Sequence, residues 1–305
     1  MRVQMKNILC ATDFSDFSNQ TIPYGVALAK EFDAKLYICH VIDLSAIAIY
    51  GEFQLNPVDQ QNRIKKKAGE QLDQLIGEQP VKWEPLITVG HTADEVSRLV
   101  EEKEIDLVIA ATRGRSGLKR LILGSVTERL MRVLSCPLLI IHSPKHEFID
   151  PINQEIRLKR ILVGCDFSPD SDLAFQHALS LAQEFEADLH LAHVIEPSVS
   201  NELLKPDKAL IAKIQQGLHH HLTEKLMAMV PEDARNWCRP QIRILEGHPY
   251  QELGGYAKTE DIDMIVLGVR GHGLVKTLFL GSTTDRVVRE APCPVLSVST
   301  KAQND

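Results

Sequence analysis

Short apolar runs alternate with longer amphipathic stretches along this chain, and the whole alternation occurs twice. In the first half, residues 7–12 read as a strand that ends at Asp13, and Lys35–Ile42 as a second strand. Between them Ile22, Val26 and Ala29 recur at helical spacing, which predicts a helix through Phe32 capped by Ser15 or Ser18. Pro57–Ile76 reads as a polar helix, Trp83–Val89 as a third strand and residues 93–102 as a third helix. Residues 106–111 form a continuous apolar run after their first residue, as parallel strands buried on both faces do. Residues 125–134 and 137–142 supply a fourth helix and a fifth strand. The second half repeats the order, with Ala174, Ala178, Leu181, Ala182 and Phe185 marking its first helix. Five strands alternating with four helices predict an α/β fold in each half: an open parallel sheet with helices on both faces.

The repeat extends to single residues. Ile8-Leu9-Cys10-Ala11-Thr12-Asp13-Phe14-Ser15 matches Ile161-Leu162-Val163-Gly164-Cys165-Asp166-Phe167-Ser168, and His40-Val41-Ile42 matches His193-Val194-Ile195. Gly90-His91 matches Gly247-His248, Asp106-Leu107-Val108-Ile109 matches Asp263-Met264-Ile265-Val266, and Cys136-Pro137 matches Cys293-Pro294. So long a period means two domains, not a solenoid, whose units run roughly 20–50 residues. Domains are expected at 1–146 and 157–305, joined by a charged, proline-bearing link near 143–158. Each half is long enough to bury its own core.

Composition narrows the function classes. With 44% hydrophobic and 25% charged residues the chain is an ordinary globular protein. A net charge of -7 gives no global electrostatic case for a nucleic-acid partner. No apolar run approaches the ~20 residues that cross a bilayer. The first residues lack the apolar core of a signal peptide, so a cytoplasmic protein with no membrane partner is expected. The six cysteines are scattered with no CxxC pair, which reads as buried free thiols, not a zinc or redox motif.

The candidate chemistry lies after strand four, where both halves carry a glycine-rich pattern. The first half reads Ala111, Arg113, Gly114, Gly124, Ser125; the second reads Gly268, Arg270, Gly271, Gly281, Ser282. In open α/β sheets ligands sit beyond the carboxyl ends of strands, where the strand order reverses. Asp13 and Asp166 stand at that level after strand one, and Val41 and Val194 at the end of strand two. A carboxylate there suits a ribose hydroxyl or a phosphate-bound metal ion. Glycines allow close backbone approach, and the helix that Ser125 or Ser282 opens attracts anions. Arg113 and Arg270 hold the same slot, either to neutralise phosphate or as solvated loop arginines. One helix-terminus contact is worth only ~0.3–1 kcal/mol, against about 8 kcal/mol for micromolar binding, so several such groups must act together. His219-His220-His221 fan around a helix and predict no metal site; His91 and His248 read as capping or core residues. G-x-S-x-G, HExxH and GxxxxGK[ST] are all absent, and no catalytic residue is assigned.

Asp-Phe-Ser after strand one, His-Val-Ile in strand two and G-x2-G-x9-G-S after strand four together resemble a universal stress protein domain. The resemblance covers nearly the whole chain, as two such domains in tandem. It implies a sheet order of 3-2-1-4-5 and ATP or a related adenine nucleotide as ligand; the strand-end carboxylates Asp13 and Asp166 are the candidate places for a nucleotide-bound Mg. In the first half it implies Ala11, Thr12 and Asp13 near the nucleoside and Val41 against adenine. Gly114, Gly124, Ser125, Val126 and Thr127 would surround ribose and phosphates. The second site would use Gly164, Cys165, Asp166, Val194, Gly268, Gly271, Gly281, Ser282, Thr283 and Thr284. Family members dimerise through strand five, so 137–142 and 294–299 are expected to pair within one chain as an internal pseudo-dimer, with a homodimer as the alternative. The implied function is a ligand-responsive stress regulator with an unidentified protein partner and at most slow ATP hydrolysis. The alternative is a nucleotide-free interaction scaffold of the same fold. An adenylating enzyme would need a glycine- or serine-rich loop after strand one, where Asp13-Phe14-Ser15-Asp16-Phe17-Ser18 stands instead. One departure is Ala111 opposite Gly268. Its methyl is expected to crowd the ligand, or to cost energy if φ is positive there, which makes the C-terminal site the stronger one.

Overall fold

The computed structural model describes residues 4–43, 57–112, 123–142, 148–150, 153–197, 208–271 and 280–300. These form two compact units, Gln4–Arg157 and Leu158–Thr300. In the first, the chain runs β1 (Asn7–Ala11), α1 (Asp16–Asn19), α2 (Thr21–Glu31), β2 (Lys35–Ile42), α3 (Pro57–Ile76), β3 (Trp83–Val89), α4 (Thr92–Glu102), β4 (Leu107–Ala111), α5 (Ser125–Val133) and β5 (Leu138–Ile141). All its strands are parallel, in the order β3-β2-β1-β4-β5.

The second unit repeats the scheme. It runs β6 (Arg160–Gly164), α6 (Pro169–Phe185), β7 (Asp188–Ile195), α7 (Lys208–Met229), a 3-10 turn at Glu232–Asn236, β8 (Gln241–Glu246), α8 (Pro249–Thr259), β9 (Met264–Gly268), α9 (Ser282–Glu290) and β10 (Val295–Val298). Its parallel order is β8-β7-β6-β9-β10. Both orders are the expected 3-2-1-4-5. Right-handed crossovers put the helices after the first and second strands on one face and the later two on the other. The central strands carry the core: Ile8, Leu9 and Cys10, and Ile161, Leu162 and Val163, are fully buried. Each buried large aliphatic side chain contributes about 1.5–3 kcal/mol.

Two features depart from the sequence reading. The first helix is interrupted: Ser15 caps the single turn α1, and α2 starts anew after Gln20. Pro23 explains the break, because it has no N–H to give to the Asn19 carbonyl. In the second unit Pro169 stands at the first position of α6, where that N–H is not needed, and the helix runs unbroken from its Ser168 cap. The described part of the link up to Arg157, in turn, groups with the first unit. Phe148 is 1% exposed and meets the Tyr24 ring edge-on at 5.0 Å, and Ile149 bridges Ile156. No helix among the described residues is long and apolar enough to cross a membrane.

Candidate functional site

Because β6 lies between β7 and β9, the turn after β6 and the loop after β9 face each other across the carboxyl edge of the sheet. There the second unit opens a cleft of about 620 Å³. Every residue expected for the C-terminal site lines it: Gly164, Cys165, Asp166, Val194, Gly268, Arg270, Gly271, Gly281, Ser282, Thr283 and Thr284. Ser168, Ser171, Ala192, His193, Glu196, Pro249, Leu253, Leu267 and Leu280 also line it and were not singled out from sequence. Two of these were legible there. His193 belongs to the repeated His-Val-Ile run, and Glu196 follows it as Asp43 follows the first copy.

The turn after β6 is built by its own side chains. Asp166 Oδ1 accepts the Ser168 N–H at 2.9 Å, Ser171 Oγ accepts the Asp166 N–H at 3.2 Å, and Ser168 Oγ accepts the Ser171 N–H at 3.2 Å. These bonds hold Phe167 at φ 63, a left-handed conformation rare for a bulky residue. Its ring lies 5.0 Å from that of His193, whose Nδ1 is 2.7 Å from the Cys165 carbonyl, and the Lys225 ammonium sits 3.7 Å over the ring. The first unit repeats the device. Phe14 has φ 64, its ring is 4.3 Å from His40, and Asp13 Oδ1 accepts from Ser15 N–H and the Ser18 hydroxyl.

The loop after β9 closes the other wall. A Cβ on Gly271 would stand 2.7 Å from Asp166 Oδ2, so any larger residue there makes that carboxylate shift. Gly281 donates its N–H to the Val269 carbonyl at 2.9 Å and caps α9 without a side-chain bond. The first-turn N–H groups of α9 therefore lack side-chain capping at the cleft. Ser282 and Thr283 line it from that helix end, as does Thr284. The Thr284 hydroxyl is donated to the Gly268 carbonyl at 2.7 Å.

Two expectations change. Arg270 lines the cleft, but its guanidinium is committed to Asp170: Nε lies 3.0 Å and Nη2 3.3 Å from the carboxylate. That makes it a loop anchor whose guanidinium is paired with a buried carboxylate. Gly268, secondly, is not among the described glycines with positive φ. A Cβ there would meet the Asp170 carbonyl carbon at 2.7 Å and the Ser171 nitrogen at 2.8 Å, against the start of α6. The physical reason for glycine at position 268 is therefore close contact of the β9 end with the start of α6.

The first-unit candidates occupy corresponding places. Ala11 ends β1, Val41 lies near the end of β2, and Ala111 ends β4, where its carbonyl accepts the Thr127 hydroxyl at 2.8 Å. Thr12 is buried, with its hydroxyl 3.0 Å from Ser18 Oγ and 2.8 Å from Asn19 Oδ1. Gly124 caps α5, Ser125 opens it, and Val126 is 39% exposed. Arg113 and Gly114 lie outside the described residues. His91 and His248 occupy the N-cap positions of α4 and α8 with no side-chain capping bond. In the histidine run, His219 Nε2 is 2.6 Å from Glu246 Oε1 and His220 Nε2 3.2 Å from Glu224 Oε1.

Burial pushes the Cys165 thiol well above its ordinary value, with the Asp166 carboxylate adding to the effect. The cleft thus offers a neutral thiol, two carboxylates (Asp166 and Glu196), an apolar wall at Val194, Leu253 and Leu267, and a helix N-terminus. Among its described residues this set suits binding of a polyhydroxylated, phosphate-bearing ligand with an apolar ring better than nucleophilic chemistry.

A sequence model described as the universal stress protein family matches residues 5–142 and 157–299. Universal stress protein MJ0531 of Methanocaldococcus jannaschii is 32% identical over 149 residues, covering 47% of this chain and 85% of that protein. Universal stress protein Slr1230 of Synechocystis is 25% identical over 314 residues, covering 96% of this chain and 99% of that protein. A universal stress protein from Archaeoglobus fulgidus shares the fold with a TM-score of 0.69 at 23% identity, over 98% of this chain and 100% of that one.

Proposed function

The chain belongs to the universal stress protein family, as two family domains in tandem, and on that premise we propose that it is a ligand-responsive stress-response protein whose C-terminal cleft binds ATP or a related adenine nucleotide. The observation that carries this reading is the convergence of Asp166, Val194 and the α9 N-terminus on one cleft of about 620 Å³. That volume lies within the roughly 300–1,000 Å³ of small-molecule sites. Val194, Leu253 and Leu267 offer a face for the base, Asp166 an acceptor for ribose hydroxyls, and the backbone of 281–284 donors for phosphate.

Magnesium fits the donor set only as a companion of the nucleotide. Gly271 packs against Asp166 Oδ2, and one such carboxylate suits an ion that takes its other ligands from phosphates and water. Binding without rapid turnover is the reading favoured by the neutral thiol of Cys165 and the commitment of Arg270 to Asp170.

The test is to denature the purified full-length protein and chromatograph the small molecules released. An adenine nucleotide in stoichiometric proportion supports the reading. Protein that releases none, and takes up none at millimolar ATP, favours the scaffold alternative.

A further inference from the structure

The one cation among the described residues that line the cleft has its guanidinium bonded to Asp170, and the first half has no counterpart of that carboxylate. We propose that Asp170 is the positioning residue of the C-terminal cleft. It fixes the start of the glycine-bearing loop at Arg270, so that the donors on the phosphate side stand in place before ligand arrives. The inference rests on the nucleotide reading above and assigns a role to residues outside the cleft.

Asp170 is 3% exposed in the first turn of α6. Its Oδ2 accepts the Arg270 backbone N–H and Nε, both at 3.0 Å. Its Oδ1 accepts Arg270 Nη2 at 3.3 Å, the Thr300 N–H at 2.9 Å and the Thr300 hydroxyl at 2.5 Å. Arg270 is gripped elsewhere too. Its carbonyl accepts the Ser168 hydroxyl at 3.2 Å, and Nη2 reaches Ser299 Oγ at 2.9 Å and the Thr300 carbonyl. One loop residue is thus fastened at its N–H, its C=O and its guanidinium. The β9 end packs directly on the same carboxylate residue, since a Cβ on Gly268 would lie 2.8 Å from Asp170 Cβ.

The next residue, Gly271, is the one that lies against Asp166 and lines the cleft. Asp170 and Thr300 do not line it. Their effect on a ligand must therefore pass through the loop. Burial alone would raise the Asp170 carboxyl, yet hydrogen bonds from Arg270 and Thr300 hold it below its usual value, so the carboxylate is retained inside the fold. A loop fixed in its bound form loses less conformational freedom when ligand binds, which raises affinity with no added contact. In the register of the repeat Phe17 stands where Asp170 does, so the first half does not contain this carboxylate.

The experiment compares ATP with adenosine by calorimetric titration of the full-length protein, in wild type, Asp170→Asn and Thr300→Val. Adenosine lacks the phosphates and serves as the internal control. The expected result is a loss of ATP affinity of about tenfold in Asp170→Asn and a smaller loss in Thr300→Val, with adenosine changed by less than about twofold. An equal loss for both ligands would mean a general structural role and overturn the proposal. So would unchanged ATP affinity in both variants. Should Asp170→Asn fail to fold, Thr300→Val carries the same comparison. A wild-type protein that binds neither ligand sinks the nucleotide reading itself, whereas binding with no ATP-selective loss sinks only the role of Asp170.

Discussion

Thr284 donates its hydroxyl hydrogen to the Gly268 carbonyl at 2.7 Å, and Thr127 makes the same bond to Ala111 at 2.8 Å. Each bond ties the first turn of a helix to the end of the strand before it, and both threonines are buried. Replacing either by valine keeps the shape and leaves a carbonyl short of a donor. Thr284→Val is expected to cost about 1–3 kcal/mol. Urea unfolding followed through Trp237, in a Trp83→Phe background, checks this. An unchanged midpoint would mean the tie carries no stability.

Gly268 and Ala111 hold equivalent places at the ends of β9 and β4. Gly268→Ala would push a methyl into the backbone at Asp170 and Ser171. Overpacking of this kind costs about 1–3 kcal/mol. The expected outcome is a lower unfolding midpoint for the second unit, with ATP weakened only as far as α6 shifts. A protein as stable as wild type would show that the start of α6 yields easily.

Acidification should weaken the second unit through its histidines. Burial lowers both His177 and His190 below their ordinary 6.5, with the Arg243 charge adding to the effect on His190. A group with a depressed folded value gives stability that is full above its unfolded value and lost as pH falls through the folded one. The Trp237-reported midpoint is therefore expected to drop between about pH 7 and pH 5, and His177→Gln with His190→Gln should flatten the slope. Lower down, Asp170 works in the same direction, while Asp263, raised mainly by burial, works against it. A midpoint that stays level or rises across the histidine range would contradict this.

The thiols should be inert in the native state. Burial pushes Cys39, Cys136 and Cys293 up to about 12 and Cys238 to about 11. Alkylation of the buried Cys39, Cys238 and Cys293 at neutral pH should proceed only as fast as local unfolding exposes them, with half-buried Cys136 labelling sooner, whereas all six should label in guanidinium. Rapid labelling of any of the three buried thiols in native protein would refute the burial argument at that position.

The fold was legible because it is written twice. The matched runs at Asp13 and Asp166, at Val41 and Val194, and at the two Gly-Ser pairs mark the strand ends, and the apolar runs mark the alternation of strand and helix, while the sheet order came from the family resemblance. Strand β2, helix α3 and strand β3 have the bounds the pattern predicts. The break before α2 was missed because the apolar spacing of Ile22, Val26 and Ala29 continues past Pro23. The partner of Arg270 could not be read at all. Asp170 is 100 residues away, and the repeat offers Phe17 in its place. Sequence also could not tell that the Thr284 hydroxyl turns toward β9, since a threonine opening a helix after Gly-Ser suits either use.

Titration of ATP into full-length wild-type and Gly271→Val protein shows whether the C-terminal cleft binds an adenine nucleotide. The valine side chain would start 2.7 Å from Asp166 Oδ2 and fill the wall that the loop forms. Wild type is expected to bind in the micromolar range, worth about 8 kcal/mol. Gly271→Val should lose one binding event per chain, while Gly114→Val keeps it. No binding by wild type, or wild-type affinity and stoichiometry in Gly271→Val, would contradict the account.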